Sequence, residues 1–165
     1  MSGFDVVPFD LVGELGPQYG YAVGDQRHRA VFNGIWEVGG GLQISGLYFY
    51  GSGETFNTTY GGDRRGLSSA PTGQAQRLRP DGTVAPYNGL VGRPIHRVDL
   101  RVQEQINLVG SASISLFVEV FNALNHENYG SYTGNESNSN FGNPTFNSAL
   151  AYASRMVQLG FRMQF

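Results

Sequence analysis

The chain has 165 residues, a formal net charge of −2 and 40% apolar residues; that is enough for one domain, and no apolar run nears the about 18 residues that a membrane-spanning helix needs. Every basic residue is an arginine, and these scatter from Arg27 to Arg162 without a stripe, which argues against a nucleic-acid surface. The absence of cysteine excludes disulfides and thiolate metal sites, whereas 24 glycines, 9 tyrosines and 11 phenylalanines favour strands joined by many turns.

The first segment, 1–13, has no basic region, no long apolar stretch and no small-residue cleavage site, so it is not an export signal. The expectation is that residues 1–24 are a loop remnant of a longer chain. Phe4 to Val12, interrupted by Pro8, offers one short strand at best. The main strands follow. Residues 28–38 set Ala30, Phe32, Gly34, Trp36 and Val38 against Arg29, Asn33 and Glu37. Residues 42–51 place Leu42, Ile44, Tyr48 and Tyr50 together. Residues 95–108 oppose Val98, Leu100, Val102, Ile106 and Leu108 to Arg97, Asp99, Arg101, Gln103, Gln105 and Asn107. Residues 113–122 oppose Ile114, Leu116, Val118 and Val120 to Ser113, Ser115 and Glu119. The chain closes on Val157, Leu159, Phe161, Met163 and Phe165, alternating with Gln158, Gly160, Arg162 and Gln164. Strand side chains alternate faces, so each segment is greasy on one side and wet on the other. Strands of about ten residues with this pattern suit a transmembrane β-barrel. A soluble sandwich also produces the alternation, but has less reason to end on an aromatic.

The connections alternate in length. Gly39-Gly40-Gly41 and residues 109–112 make tight links, while about 52–94 and about 123–150 make long loops. Outer-membrane barrels have short turns on the periplasmic side and long loops on the other, which leaves Phe165 on the periplasmic side. Trp36 and Phe165 then fall near one rim, and Tyr48, Phe49, Tyr50 and Tyr152 near the other, as two aromatic girdles. Glu104 alone interrupts the apolar faces, which requires headgroup depth, a slipped register or a bulge. Arg97, Asp99 and Arg101 are expected to face Glu119 and Arg162 across the polar side. The fold class is thus all-β, an antiparallel meander of about five or six long strands over 25–165. Five strands cannot close a barrel, because unpaired edges in lipid cost several kcal/mol per group. The sheet is an open arc of a larger barrel or one subunit of an oligomeric one.

Taken in order, Asp25-Gln26-Arg27-His28-Arg29, Ser45-Gly46, Ser52-Gly53, Phe56-Asn57, Arg97-Val98-Asp99-Leu100-Arg101, Glu119-Val120-Phe121-Asn122-Ala123-Leu124-Asn125-His126, Asn128-Tyr129-Gly130, Phe141-Gly142 and Gln158 to Phe165 form a set. That ordered set resembles the carboxy-terminal barrel end of TonB-dependent outer-membrane receptors, of the Oar-like branch with a carboxypeptidase-regulatory-like domain. The resemblance implies a 22-stranded parent in the bacterial outer membrane that takes up large or scarce solutes. It also implies contact with outer-membrane lipid, recognition of the last strand by the barrel-assembly machinery, and coupling to the TonB system only through an amino-terminal part that this segment does not contain. The ligand stays open, and transport by this segment alone is not expected.

Rival readings are a self-standing oligomeric pore and a soluble glycan-binding β-sandwich that uses Trp36 and the tyrosines as stacking platforms. No enzyme is expected, since no nucleophile and base can be placed together. His28, His96 and His126 lack ligand spacing, so neither metal nor cofactor is expected. Residues 61–66, Gly-Gly-Asp-Arg-Arg-Gly, lack the strand-to-helix setting of a phosphate loop and read as a mobile loop.

Overall fold

A computed structural model of the protein describes residues 16, 19–62, 77–145 and 154–165. Phe4 to Val12, residues 63–66 and Tyr152 lie outside the described residues. The strands are β1 (Arg29–Gly39), β2 (Leu42–Gly51), β3 (Thr55–Phe56), β4 (Leu90–Val91), β5 (Ile95–Asn107), β6 (Ser113–Phe121) and β7 (Met156–Gln164), and no α-helix occurs among the described residues. The protein is all-β. Its five long strands form one sheet in the order β1-β2-β5-β6-β7, with every neighbouring pair antiparallel.

Local chemistry sets the ends of these strands. Gly39, Gly40 and Gly41 all have positive φ, at 103°, 65° and 94°, which residues with a Cβ rarely adopt. Gly41 also runs against β5: its carbonyl accepts from the Gln105 amide at 2.9 Å, and a Cβ there would lie 2.2 Å from the Gln105 carbonyl oxygen. The β1–β2 register shifts between Glu37 and Gly39, so a bulge feeds this turn. The β5–β6 link closes with the Leu108 amide on the Ala112 carbonyl at 2.8 Å, and Gly110 takes φ 76°. Beyond β6, Asn122 at φ 49° turns the chain out of the sheet.

The register carries one face across all five strands. Phe32 lies opposite Tyr48, which lies opposite Val98; Trp36, Ile44, Val102, Val118 and Leu159 form one continuous row. Leu116 meets Phe161, and Ile114 meets Met163. These side chains remain open to their surroundings: Trp36 is 66% exposed, Leu159 75% and Phe161 69%. Among the described residues only Phe49, Ala85 and Ile95 are buried apolar side chains. A sheet of this size with almost no apolar core leaves a contiguous greasy face that ordinary soluble monomers avoid. Glu104 belongs to this face, between Leu42 and Leu116, in an unbroken register. No slip or bulge accompanies it. Leu42 directly follows the glycine turn, so the carboxylate lies toward the end of the sheet that carries the tight links.

The chain divides into two compact units. The sheet unit holds 27–52, 93–130 and the carboxy-terminal strand. The other unit draws its described residues from 16–26, 53–62, 77–92 and 131–145. Polar groups organise this second unit. β3 pairs with β4, and the Thr55 hydroxyl donates to the Ala22 carbonyl. The Asn88 amide donates to the Tyr21 carbonyl at 2.7 Å. Phe56 packs on Tyr132 with ring centroids 4.8 Å apart. Arg79 forks onto Glu136 at 2.6 and 2.7 Å, a bidentate pair that raises the guanidinium above its ordinary pKa through the Glu136 hydrogen bonds. The Thr83 hydroxyl and amide both donate to Asp81, which holds that carboxyl below its usual range. Both of the expected long loops therefore contain ordered structure.

Candidate solute-facing wall and its rim

The opposite face of the sheet carries the charges. On β5, the Arg97 Nε donates to Asp99 Oδ1 at 2.8 Å, and its Nη2 reaches Asp99 Oδ2 at 2.6 Å. Across to β6, Arg101 Nη1 donates to Glu119 Oε1 at 3.0 Å, while Nη2 donates to Gln103 Oε1 at 2.6 Å. The Arg101 guanidinium also lies 4.3 Å from the centre of the Phe117 ring. These four expected residues come together: two guanidiniums, two carboxylates and no residual charge. The pairs are partly solvated, with side-chain exposures of 39% and 20% for Arg101 and Glu119. Water screening therefore limits the pair's contribution. A double-mutant cycle with Arg101→Ala and Glu119→Ala in denaturant titrations is expected to give a coupling of about 0.5 kcal/mol.

Arg162 does not join them. It shares the face but lies opposite Ser115, four positions along β7 from Gln158, the residue opposite Glu119. At about 3.3 Å per residue, this is roughly 13 Å away along the strand. Phe49 is the second departure. It faces the charged side, buried, with the Arg29 guanidinium 4.9 Å from its ring centre, and so takes no place in a girdle beside Tyr48 and Tyr50. A strand position adjacent to two tyrosines necessarily points the other way.

The apolar face ends in a ring cluster. Phe32 stacks on Tyr48 at 6.3 Å, Tyr48 stacks on His96 at 6.3 Å, and Tyr50 leans on His96 at 5.2 Å. The Tyr48 hydroxyl and His96 Nδ1 share a hydrogen bond of 2.9 Å. His126 meets His96 edge-on at 5.0 Å. The two histidines thus extend the aromatic row that holds Tyr48 and Tyr50, while Trp36 lies toward the other end of the strands.

Two asparagines hold this rim in place, and sequence reasoning assigned them no role. Asn128 is fully buried; its Oδ1 accepts from the His96 amide at 2.8 Å and lies 3.0 Å from His126 Nδ1, and its Nδ2 donates to the His96 and His126 carbonyls. Asn122, 2% exposed, brackets His126 from the other side through its amide and carbonyl oxygen, and its own N–H donates to Asp99. The charged wall and the rim are thereby tied through one carboxylate. An Asn128→Ala change leaves the His96 amide and carbonyl without this partner, at about 1–3 kcal/mol each, while the His126 carbonyl keeps the Asn122 amide. We expect it to lower stability by about 2 kcal/mol or more in denaturant titration, against less than about 0.5 kcal/mol for Ser137→Ala on the solvent side. A repeated Asn just after a strand, one at positive φ, is the signal that marks such a turn.

The terminal strand β7 pairs along its whole length with β6, from Phe121↔Met156 to Ser113↔Gln164. Val157, Leu159, Phe161 and Met163 all lie on the apolar face, and Phe165 follows the last paired residue, 98% exposed. Gly160 lies directly under the Phe117 ring. The ring therefore sits between the backbone of β7 and the Arg101 guanidinium.

Comparisons with models of known protein families, with curated proteins and with solved structures return no match. The chemistry of the wall therefore rests on its own residues. Among the described residues no group of three His, Cys, Asp or Glu side chains is placed to hold a metal ion. The carboxylates of Asp99 and Glu119 are engaged by arginines. The Arg97–Asp99 and Arg101–Glu119 cluster is thus internally neutralised, while Arg162 stands apart on the same face.

Proposed function

We propose that this chain is the carboxy-terminal part of a bacterial outer-membrane β-barrel of the TonB-dependent receptor kind, whose role is uptake of large or scarce solutes. In this reading the apolar face meets outer-membrane lipid, the charged face lines the barrel interior, and β7 is the strand that the assembly machinery recognises. One observation carries it: the register aligns apolar side chains from all five strands in continuous rows on one exposed face, and puts the paired charges on the other, where Val31, Ile35, Leu47 and Phe121 accompany them. Strands of 9 to 13 residues match the span of a bilayer's hydrocarbon layer. Glu104, near the end with the tight links, falls at headgroup depth, where a charge costs about 1 kcal/mol or less.

Two open edges, β1 and β7, need further strands in lipid. The wall is therefore a part of the transporter, without transport activity of its own. Sequencing the source DNA upstream of the Met1 codon tests this. The expected result is an open frame running back through further barrel strands, a plug and an export signal. A stop codon just upstream, with a ribosome site serving Met1, contradicts it and favours a pore closed by several copies.

A further inference from the structure

Glu104 interrupts the apolar face, and we infer that it is a binding site for a phospholipid with a primary ammonium in its headgroup, an ethanolamine-type lipid. This rests on the barrel reading and assigns a specific partner to one point on its lipid-facing side.

Three observations lead there. The first is isolation. Glu37 accepts from the Gln43 amide, Asp99 is paired with Arg97 and Glu119 with Arg101. Glu104, exposed on β5, makes neither hydrogen bond nor ion pair among the described residues. It is also the one Asp, Glu or Arg that the register places on the apolar face of the five strands. A carboxylate drawn out of water in such a setting needs a cation from outside the chain. The second is the character of its neighbours. Leu42 and Leu116 lie opposite it on either side, and Val102 and Ile106 flank it along β5. These side chains offer no oxygen ligand, and Ca²⁺ or Mg²⁺ takes about six. A phospholipid meets the whole patch: its ammonium reaches the carboxylate while its acyl chains lie on Val102, Val118 and the rows toward the middle of the sheet. The third is depth. Glu104 lies three residues from Asn107, where β5 ends, about 10 Å along the strand. With a barrel tilt of about 40°, that is about 8 Å below the strand end, at the base of the headgroup layer.

Chemistry then selects among headgroups. A primary ammonium offers N–H donors that make short, charge-assisted hydrogen bonds to a carboxylate. A trimethylated ammonium has no N–H and keeps only its charge. The site therefore distinguishes ethanolamine from choline.

The test uses the complete barrel, purified from membranes in detergent and exchanged with equimolar dioleoyl phosphatidylethanolamine and dioleoyl phosphatidylcholine. Native mass spectrometry counts the lipids retained. The ethanolamine lipid is expected to exceed the choline lipid about tenfold as the first lipid bound, the selectivity that one charge-assisted hydrogen bond supplies. Glu104→Gln, which keeps the shape and removes the charge, is expected to bring the ratio below about twofold. Leu116→Arg sets a guanidinium directly opposite the carboxylate and is expected to act in the same direction. Gln105→Ala, on the other face, leaves the ratio unchanged. Heat-dependent electrophoretic mobility verifies that each variant is folded. Equal retention of the two lipids, or a preference that survives Glu104→Gln, overturns the assignment. So does a co-purifying protein, in place of lipid, that Glu104→Gln releases. Carbonate extraction of the membranes separates the two failures. Embedded protein without the preference defeats the lipid site alone, and protein that leaves with the aqueous fraction defeats the barrel reading beneath it.

Discussion

Arginine in place of Leu159 is expected, on the proposed barrel reading, to destabilise the complete membrane-inserted barrel by about 2–4 kcal/mol, because the side chain lies on the apolar face near the middle of β7. The neighbouring Gln158→Arg change, one residue away, puts the same charge on the other face opposite Glu119, and is expected to cost less than about 0.5 kcal/mol. A soluble sheet with water on both sides has no reason to separate the two variants so sharply. Urea titrations of both proteins in vesicles, followed by the mobility shift of the folded form, measure the difference directly. Equal effects at the two positions defeat the assignment of faces.

The second large effect is expected at Gly160. A Cβ at that position would lie 2.3 and 2.4 Å from Phe117 ring atoms, far inside contact distance. Gly160→Val therefore forces the ring aside, and with it the guanidinium of Arg101 that rests 4.3 Å from the ring centre. Overpacking of this kind costs about 1–3 kcal/mol, and here it falls on β6, the strand that β7 pairs with among the described residues. We expect slow or failed docking of the terminal strand. Adding Phe117→Ala removes the obstacle, so the double variant should be less destabilised than the sum of its parts. Strict additivity would show that the ring does not occupy the space above Gly160.

The strands and their faces were legible because a period of two is a direct consequence of the pleat, and it fixes both the apolar row of β7 and the alternation of β5. The glycine turn at 39–41 was legible for an equally local reason. Glu104 was not, since one residue on the wrong face cannot reveal whether the register bends around it; the partners Leu42 and Leu116 decide that it does not. Arg162 was misplaced because pairing along β7 depends on which residue of β6 it starts from, and that register is a long-range property. Asn122 and Asn128 escaped notice because their value lies in buried hydrogen bonds to His126 and His96, and composition shows only a polar loop. The grouping of Asn33, Ser45, Arg101 and Glu119 on the charged face was not legible for the same reason: they lie on four strands, and only the register makes them neighbours.

The chain contains no cysteine, so a single introduced cysteine carries a spin label at one defined place. Labels placed one at a time from 156 to 164 and from 97 to 107, in protein embedded in membranes, report the lipid-soluble collider oxygen and a water-soluble nickel chelate separately. On the proposed barrel reading, oxygen maxima are expected at Val157, Leu159, Phe161 and Met163 and at Val98, Leu100, Val102 and Ile106, with chelate maxima at Gln158, Gly160 and Arg162 and at Asp99, Arg101, Gln103 and Gln105. Labels on the apolar positions that are immobilised and closed to both colliders, as when two sheets pack together, would contradict it.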